Sequence, residues 1–139
     1  MVVAVEALSM TDVRALAADG VVLVDGKLLL MERNHPPFEG HWVLPGGLVE
    51  RDETAREACA REVEEEVGLA VEPVSFVGLY DDPGRDERGT VSAAFLCEPL
   101  DDGDPEAREE ARQVGLFDLD SLPAMGFDHE RIVADALDR

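Results

Sequence analysis

Short apolar runs alternate along the chain with one long stretch of helical period, and the pattern predicts strands around a central helix. Residues 1–7 read as a short strand, and Ser9-Met-Thr-Asp12 as the cap of a short helix running to about Ala18. Val21 to Val24 and Lys27 to Met31 flank Asp25-Gly26, the residue pair favoured in a two-residue hairpin turn. Asn34 to Gly40 reads as a loop. Trp42-Val-Leu44 reads as a short strand stopped by Pro45-Gly46-Gly47. A helix is predicted from about Thr54 to Val67, with Thr54 and Glu57 as a capping box and Gly68 as its stop. Val71 to Tyr80 and Thr90 to Glu98 read as strands, Asp101 to Pro105 as a polar turn, and Gly115 to Leu119 as a last strand. Asp128 to Leu137 closes the chain as a helix with Ile132, Val133, Ala136 and Leu137 on one face. The fold class is α/β: packed layers forming a single domain over residues 1–139.

The central helix breaks its own pattern. At about 100° per residue, Ala55, Ala58, Cys59, Val63 and Val67 share a face that packs on the sheet. Glu62 and Glu66 fall in the middle of that face and Glu65 at its edge, while Glu57 and Glu64 point to solvent. Carboxylates gathered where apolar atoms belong cannot all stay ionised and partly desolvated unaided. Either some are protonated or a cation sits among them, and such oxygen donors suit Mg²⁺, Mn²⁺ or Ca²⁺ better than Zn²⁺. The plain alternative is a charged amphipathic helix whose glutamates all reach water.

Composition narrows the choice of partners. There are 32 Asp and Glu against 12 Lys and Arg, a formal charge of -20. Such a surface argues against nucleic acid and against an anionic membrane as partners. No apolar run is long enough for a membrane span, and no basic-then-apolar leader opens the chain, so a cytoplasmic location is expected. Cys59 and Cys97 are too few for a disulfide framework and read as reduced thiols. Lys27 is the single lysine, and the other cations are all Arg. That balance fits a halophilic surface, built for salt in which counterions screen self-repulsion; an acidic protein from a GC-rich genome is the competing explanation.

From Gly47 the sequence runs Gly-(5)-Glu53-(7)-Arg61-Glu62-Val63-x-Glu65-Glu66-x-Gly68-Leu69. Residues 47–69 thus match every defined position of the Nudix box, and roughly residues 20 to 137 resemble the Nudix hydrolases of the ADP-ribose pyrophosphatase group. The resemblance implies an α/β/α sandwich with a mixed sheet, and a loop-helix-loop that binds Mg²⁺ or Mn²⁺ around a pyrophosphate. It implies Glu62 and Glu66 as principal metal ligands, Glu65 as a further ligand or an aid to water activation, and the Gly46 carbonyl as another donor. Glu53 and Arg61 would form an orienting ion pair. Gly46-Gly47 would let the backbone take positive φ and approach the metal.

The box implies a reaction class, hydrolysis of a nucleoside diphosphate derivative, and leaves the substrate to other residues. Tyr80-Asp-Asp-Pro-Gly-Arg-Asp-Glu-Arg-Gly89 resembles the D-P-x-R-D-P-R-G stretch of ADP-ribose pyrophosphatases, with Glu87 in the place of Pro. Arg33-Asn-His-Pro-Pro-Phe-Glu-Gly40, Trp42-Val-Leu-Pro-Gly-Gly47 and Gly126-Phe-Asp-His129 also look like this group. Arg33, Arg85 and Arg88 are candidates for phosphate or ribose phosphate, or else they pair with surface carboxylates. Phe38, Trp42, Tyr80, Phe95 and Phe127 are candidates for an adenine wall, of which one or two are expected to touch a base and the rest to be core. Glu106, Glu109 and Glu110 read as a solvated helical turn, although relatives place a mobile glutamate nearby. His129 is equally a site or a structural residue.

The leading expectation is an ADP-ribose pyrophosphatase that yields AMP and ribose 5-phosphate. A Nudix hydrolase of a damaged nucleoside triphosphate or of another nucleotide sugar is the alternative. A non-catalytic ADP-ribose sensor is a third class, disfavoured by the intact box, the charge and the lack of room for a DNA-binding module after the domain. Analogy with relatives also leaves room for a homodimer.

Overall fold

The computed structural model describes residues 13–138. The expected strand over residues 1–7 and the cap at Ser9–Asp12 therefore lie outside the described residues. Strands β1 (Leu16–Val24) and β2 (Lys27–Arg33) form the expected hairpin. Asp25 and Gly26 both take positive φ, 52° and 79°, as that turn requires. The helix expected to reach Ala18 is replaced by the start of β1. Leu16, Ala17 and Ala18 are good helix formers, but β1 pairs with a parallel neighbour from Leu16 onward, and Ala18 is fully enclosed. Burial between two layers overrides local preference here.

After β3 (Trp42–Val43) the chain does not stop at its Pro-Gly-Gly. It resumes as β4 (Gly46–Leu48), antiparallel to β1. Helix α1 (Ala55–Val67) follows, then β5 (Val71–Tyr80), β6 (Val91–Pro99), β7 (Ala111–Phe117) and α2 (His129–Leu137). The seven strands form one mixed sheet in the order β3-β2-β1-β6-β5, with β4 joined to β1 and β7 to β2. β1 and β6 are parallel; the other pairs are antiparallel. β7 begins four residues earlier than the last strand expected from sequence.

One edge of β1 changes partner partway along. Ala17 to Asp19 pair with β4, whereas Leu23 and Val24 pair with β2. The sheet parts at that change, beside a cavity lined by Ala17, Asp19 and Gly46.

Each face of the sheet carries one helix. Ala58, Cys59, Val63 and Val67 of α1 pack on Ala18, Val22, Ala93, Phe95 and Cys97. Ile132, Val133 and Ala136 of α2 pack on Val21, Leu28, Leu30 and Ala94. The result is the α/β/α sandwich that was expected. Cys59 and Cys97 remain free thiols with their sulfurs 3.6 Å apart between α1 and β6. Among the described residues no helix is long and apolar enough to cross a membrane.

Candidate active site

Helix α1 is fixed at both ends. The Thr54 hydroxyl accepts from the Glu57 amide at 3.0 Å, and the Glu57 carboxylate accepts from the Thr54 amide at 2.8 Å. Gly68 closes the helix at φ 70°, and its amide donates to the Glu64 carbonyl. The three glutamates of interest thus stand at set heights on a rigid element, with Glu66 only 3% exposed.

Arg61 organises them. Its guanidinium donates to both oxygens of Glu53 at 2.5 and 3.0 Å, to Glu62 at 2.9 Å, to Glu65 at 3.0 Å and to the Leu48 carbonyl at 3.1 Å. The hydrogen bond from Arg61 and one from the Glu50 amide hold the Glu53 carboxyl down at about 2. Glu62 and Glu66 go the other way. Burial raises both, and Glu66, which also faces Glu110 and Glu62, is pushed up to about 8.

Among the described residues no three His, Cys, Asp or Glu side chains converge as a ready coordination shell. The donor set nonetheless fits a hard divalent cation. Glu62 and Glu66 are two carboxylates whose charge is opposed by burial and by neighbouring charge, and a cation would relieve both. The space they need is kept by a glycine: a Cβ on Gly47 would lie 2.4 Å from the Glu62 carboxylate. A Cβ on Gly46 would strike Asp19 and the Ala18 carbonyl. Neither glycine has positive φ, so room, not backbone conformation, is what requires them.

These groups line a cavity of about 360 Å³. Gly46, Glu62, Glu65 and Glu66 line it, and Arg33, Arg85 and Arg88 reach it as well. Arg61 and Glu53 lie behind the carboxylates. Phe127, held at φ 54°, is the hub for the guanidiniums: those of Arg33, Arg85 and Arg88 lie 5.5, 5.8 and 5.9 Å from its ring centre. Its ring also stacks on His129 and leans on Phe38.

The three arginines are not equivalent. Arg85 is locked: its side chain is 3% exposed, grips Asp128 at 2.7 and 3.0 Å, and donates to the Thr90 carbonyl. Burial opposes both charges, yet the hydrogen bond between them leaves Asp128 lowered and Arg85 raised. Arg33 donates to the Pro37 carbonyl at 2.6 Å and is lowered by burial and by Arg88. Arg88 is the most open, with one long contact of 3.5 Å to Asp86.

Tyr80 does not join the site. β5 bulges at Val77, between Phe76 and Gly78, and Val77 and Tyr80 pack in the core that α2 covers. The Tyr80 hydroxyl donates to Asp135 at 2.6 Å, in a separate groove. Trp42 packs on Phe117, and Phe95 lies under Arg56 in the other core; of the five aromatics only Phe127 lines the cavity. The acidic run before β7 departs from the solvated helical turn expected of it. It is an irregular loop docked on the end of α1, where the Glu110 amide donates to Glu66 at 3.2 Å, and Glu109 and Glu110 line the cavity.

His129 is enclosed, and burial holds it below its ordinary range and therefore neutral. Its Nδ1 accepts from the Leu44 amide at 2.9 Å, which fixes the backbone leading into Gly46. Asp19 escaped the sequence reading altogether. The available signal was an ionisable residue inside the apolar run Leu16 to Val24.

The chain belongs to the Nudix family: the NUDIX domain model matches residues 14–136. It is an enzyme of the Nudix pyrophosphohydrolase type. It is 43% identical over 122 residues to an ADP-ribose pyrophosphatase of Methanocaldococcus jannaschii, covering 87% of this chain and 72% of that one. It is 34% identical over 102 residues to the human 8-oxo-dGDP phosphatase NUDT18, covering 70% of this chain and 30% of that longer protein. A bifunctional NMN adenylyltransferase/ADP ribose pyrophosphatase of Francisella tularensis, crystallised with AMP and a Mn ion, superposes with a TM-score of 0.76 at 26% identity, over 91% of this chain and 42% of that one.

Proposed function

We propose that this Nudix hydrolase cleaves ADP-ribose to AMP and ribose 5-phosphate in a reaction that depends on Mg²⁺ or Mn²⁺. One observation carries the reading: carboxylates of α1 and a cluster of guanidiniums line a single cavity large enough for a nucleotide. The likeness to the M. jannaschii enzyme supports the choice of substrate. Glu62, Glu65, Glu66 and the Gly46 carbonyl would hold the cation. When bound, it supplies charge that draws a pyrophosphate to the carboxylates and makes water more acidic.

The chain's own residues do the rest. Arg61, clamped by Glu53, sets the rotamers of Glu62 and Glu65. Arg33 and Arg88 meet the phosphates, whereas Arg85, spent on Asp128, holds the 81–89 loop against α2. Phe127 offers an aromatic face beside them. Water adds to one phosphorus, the P–O–P bridge breaks there, and each half leaves with one phosphate.

The test is a substrate panel with Mg²⁺ or Mn²⁺ in potassium chloride: ADP-ribose, NADH, diadenosine polyphosphates and (d)NTPs. AMP and ribose 5-phosphate from ADP-ribose are expected. Pyrophosphate or orthophosphate from triphosphates with ADP-ribose untouched would establish the alternative, which the likeness to NUDT18 favours. Binding of ADP-ribose without turnover would establish the sensor. Replacing Glu66 or Glu62 with Gln should cut turnover by orders of magnitude in a folded protein, and near-normal rates in both would sink the ligand assignment. The same proposal includes a salt-adapted surface and a cytoplasmic setting, with a nucleotide rather than nucleic acid as partner.

A further inference from the structure

Asp19 is a charged residue in an enclosed strand, 7% exposed, and the chemistry above does not use it. Its two oxygens have different surroundings. Oδ2 accepts from the Ser92 hydroxyl and faces His129 Nε2 at 3.9 Å. Because His129 Nδ1 accepts from the Leu44 amide, the ring proton of the neutral imidazole sits on Nε2, toward that oxygen. Oδ1 has no hydrogen-bond partner among the described residues. No fully enclosed side-chain oxygen or nitrogen among them is without one. Oδ1 must therefore open onto the cavity that Asp19 lines.

An oxygen that opens onto a cavity is reached by solvent there, and a ligand that fills the cavity must bring a donor in its place or leave the carboxylate stranded. We propose that Asp19 is a specificity-determining residue whose Oδ1 accepts a hydrogen bond from an uncharged donor of the substrate, a sugar hydroxyl or a base amine. Asp19 pairs with Gly46 across β1 and β4, so it stands between the proposed cation donors and the guanidiniums. It is felt by Arg33, Arg85 and His129, and it sits where β1 ends its pairing with β4. A phosphate at that point would be repelled, so phosphates are left to Arg33 and Arg88. A ligand without the donor would strand Oδ1 in a desiccated site, which is the strongest way a cavity rejects a near-analogue.

The inference rests on a nucleoside diphosphate derivative being the substrate. The experiment compares kcat/KM for ADP-ribose with its hypoxanthine counterpart, which lacks the exocyclic amine, and with counterparts lacking the 2′-hydroxyl of one or the other ribose. In the wild type one analogue should fall behind by about 10- to 100-fold, which identifies the donor. Asp19→Val should lose that gap, mainly through a higher KM on ADP-ribose. Asp19→Asn, which keeps the shape and protects the fold, should narrow it. Ser92→Ala removes the internal hydrogen bond but keeps the carboxylate, and should preserve the gap; a merely structural Asp19 would make Ser92→Ala and the Asp19 variants alike on every substrate. No gap in the wild type, or an undiminished gap in a folded Asp19 variant, overturns the proposal. If the wild type ignores ADP-ribose but cleaves another nucleotide, the substrate reading fails instead, and the same comparison is scored on analogues of that nucleotide.

Discussion

At the scale of single residues, the site depends on atoms that are absent as much as on those present. Gly47 is the clearest case, because a methyl there would occupy the Glu62 carboxylate's place. Gly47→Ala should keep the circular dichroism of the wild type and lose activity nearly as fully as Glu62→Gln. A fully active variant would show that Glu62 has another working position. Glu53 gives a prediction in pH. Its folded-state carboxyl is held at about 2, below the ordinary 4.5, so its pairing with Arg61 stabilises the fold fully above about 4.5. That stability is lost as pH falls through the folded value near 2. The gap in urea midpoint between wild type and Glu53→Gln should therefore be constant from pH 7 to 5 and shrink below. A gap that widens on acidification would rule the pairing out as its source.

At the scale of elements, α1 was legible almost residue by residue, because its signals are local: a capping box, a helical period and a glycine stop. Thr54→Ala should cost about 1 kcal/mol of stability, read from urea unfolding, and no change would mean that the cap is redundant with tertiary packing. The hairpin at Asp25-Gly26 was legible for the same reason. What could not be read depends on distant partners. β4 is a strand because β1 lies beside it, and the helix expected before Ala18 gave way because β6 pairs there instead. Tyr80 was misplaced by a bulge that leaves no mark in the sequence, and Glu110 reached the site through the docking of a loop on α1. Within the site, the carboxylates on the helix announced themselves as misplaced charges on an apolar face. Asp19 is the same kind of anomaly on a strand, but a single one.

At the scale of the molecule, charge is the dominant property. Residues 47–69 hold eight acids and three arginines, a net of -5, which leaves -15 of the -20 to the rest of the chain. Raising potassium chloride from about 0.1 to about 1 M shortens the screening length from about 10 to about 3 Å. The thermal midpoint should rise over that range, and a fold that is complete and no less stable at low salt would remove the case for salt adaptation. The molecule also joins early and late parts of its chain at one place. His129 pins Leu44 across 85 residues, ahead of the Gly46 carbonyl, and it lies 60 residues beyond Leu69, where the box ends. During synthesis the ribosome therefore completes the carboxylate helix long before the residue that secures the backbone opposite it. A chain grown only as far as Leu69 carries the glutamates without the residue that secures the backbone opposite them, so folding of the site waits for α2.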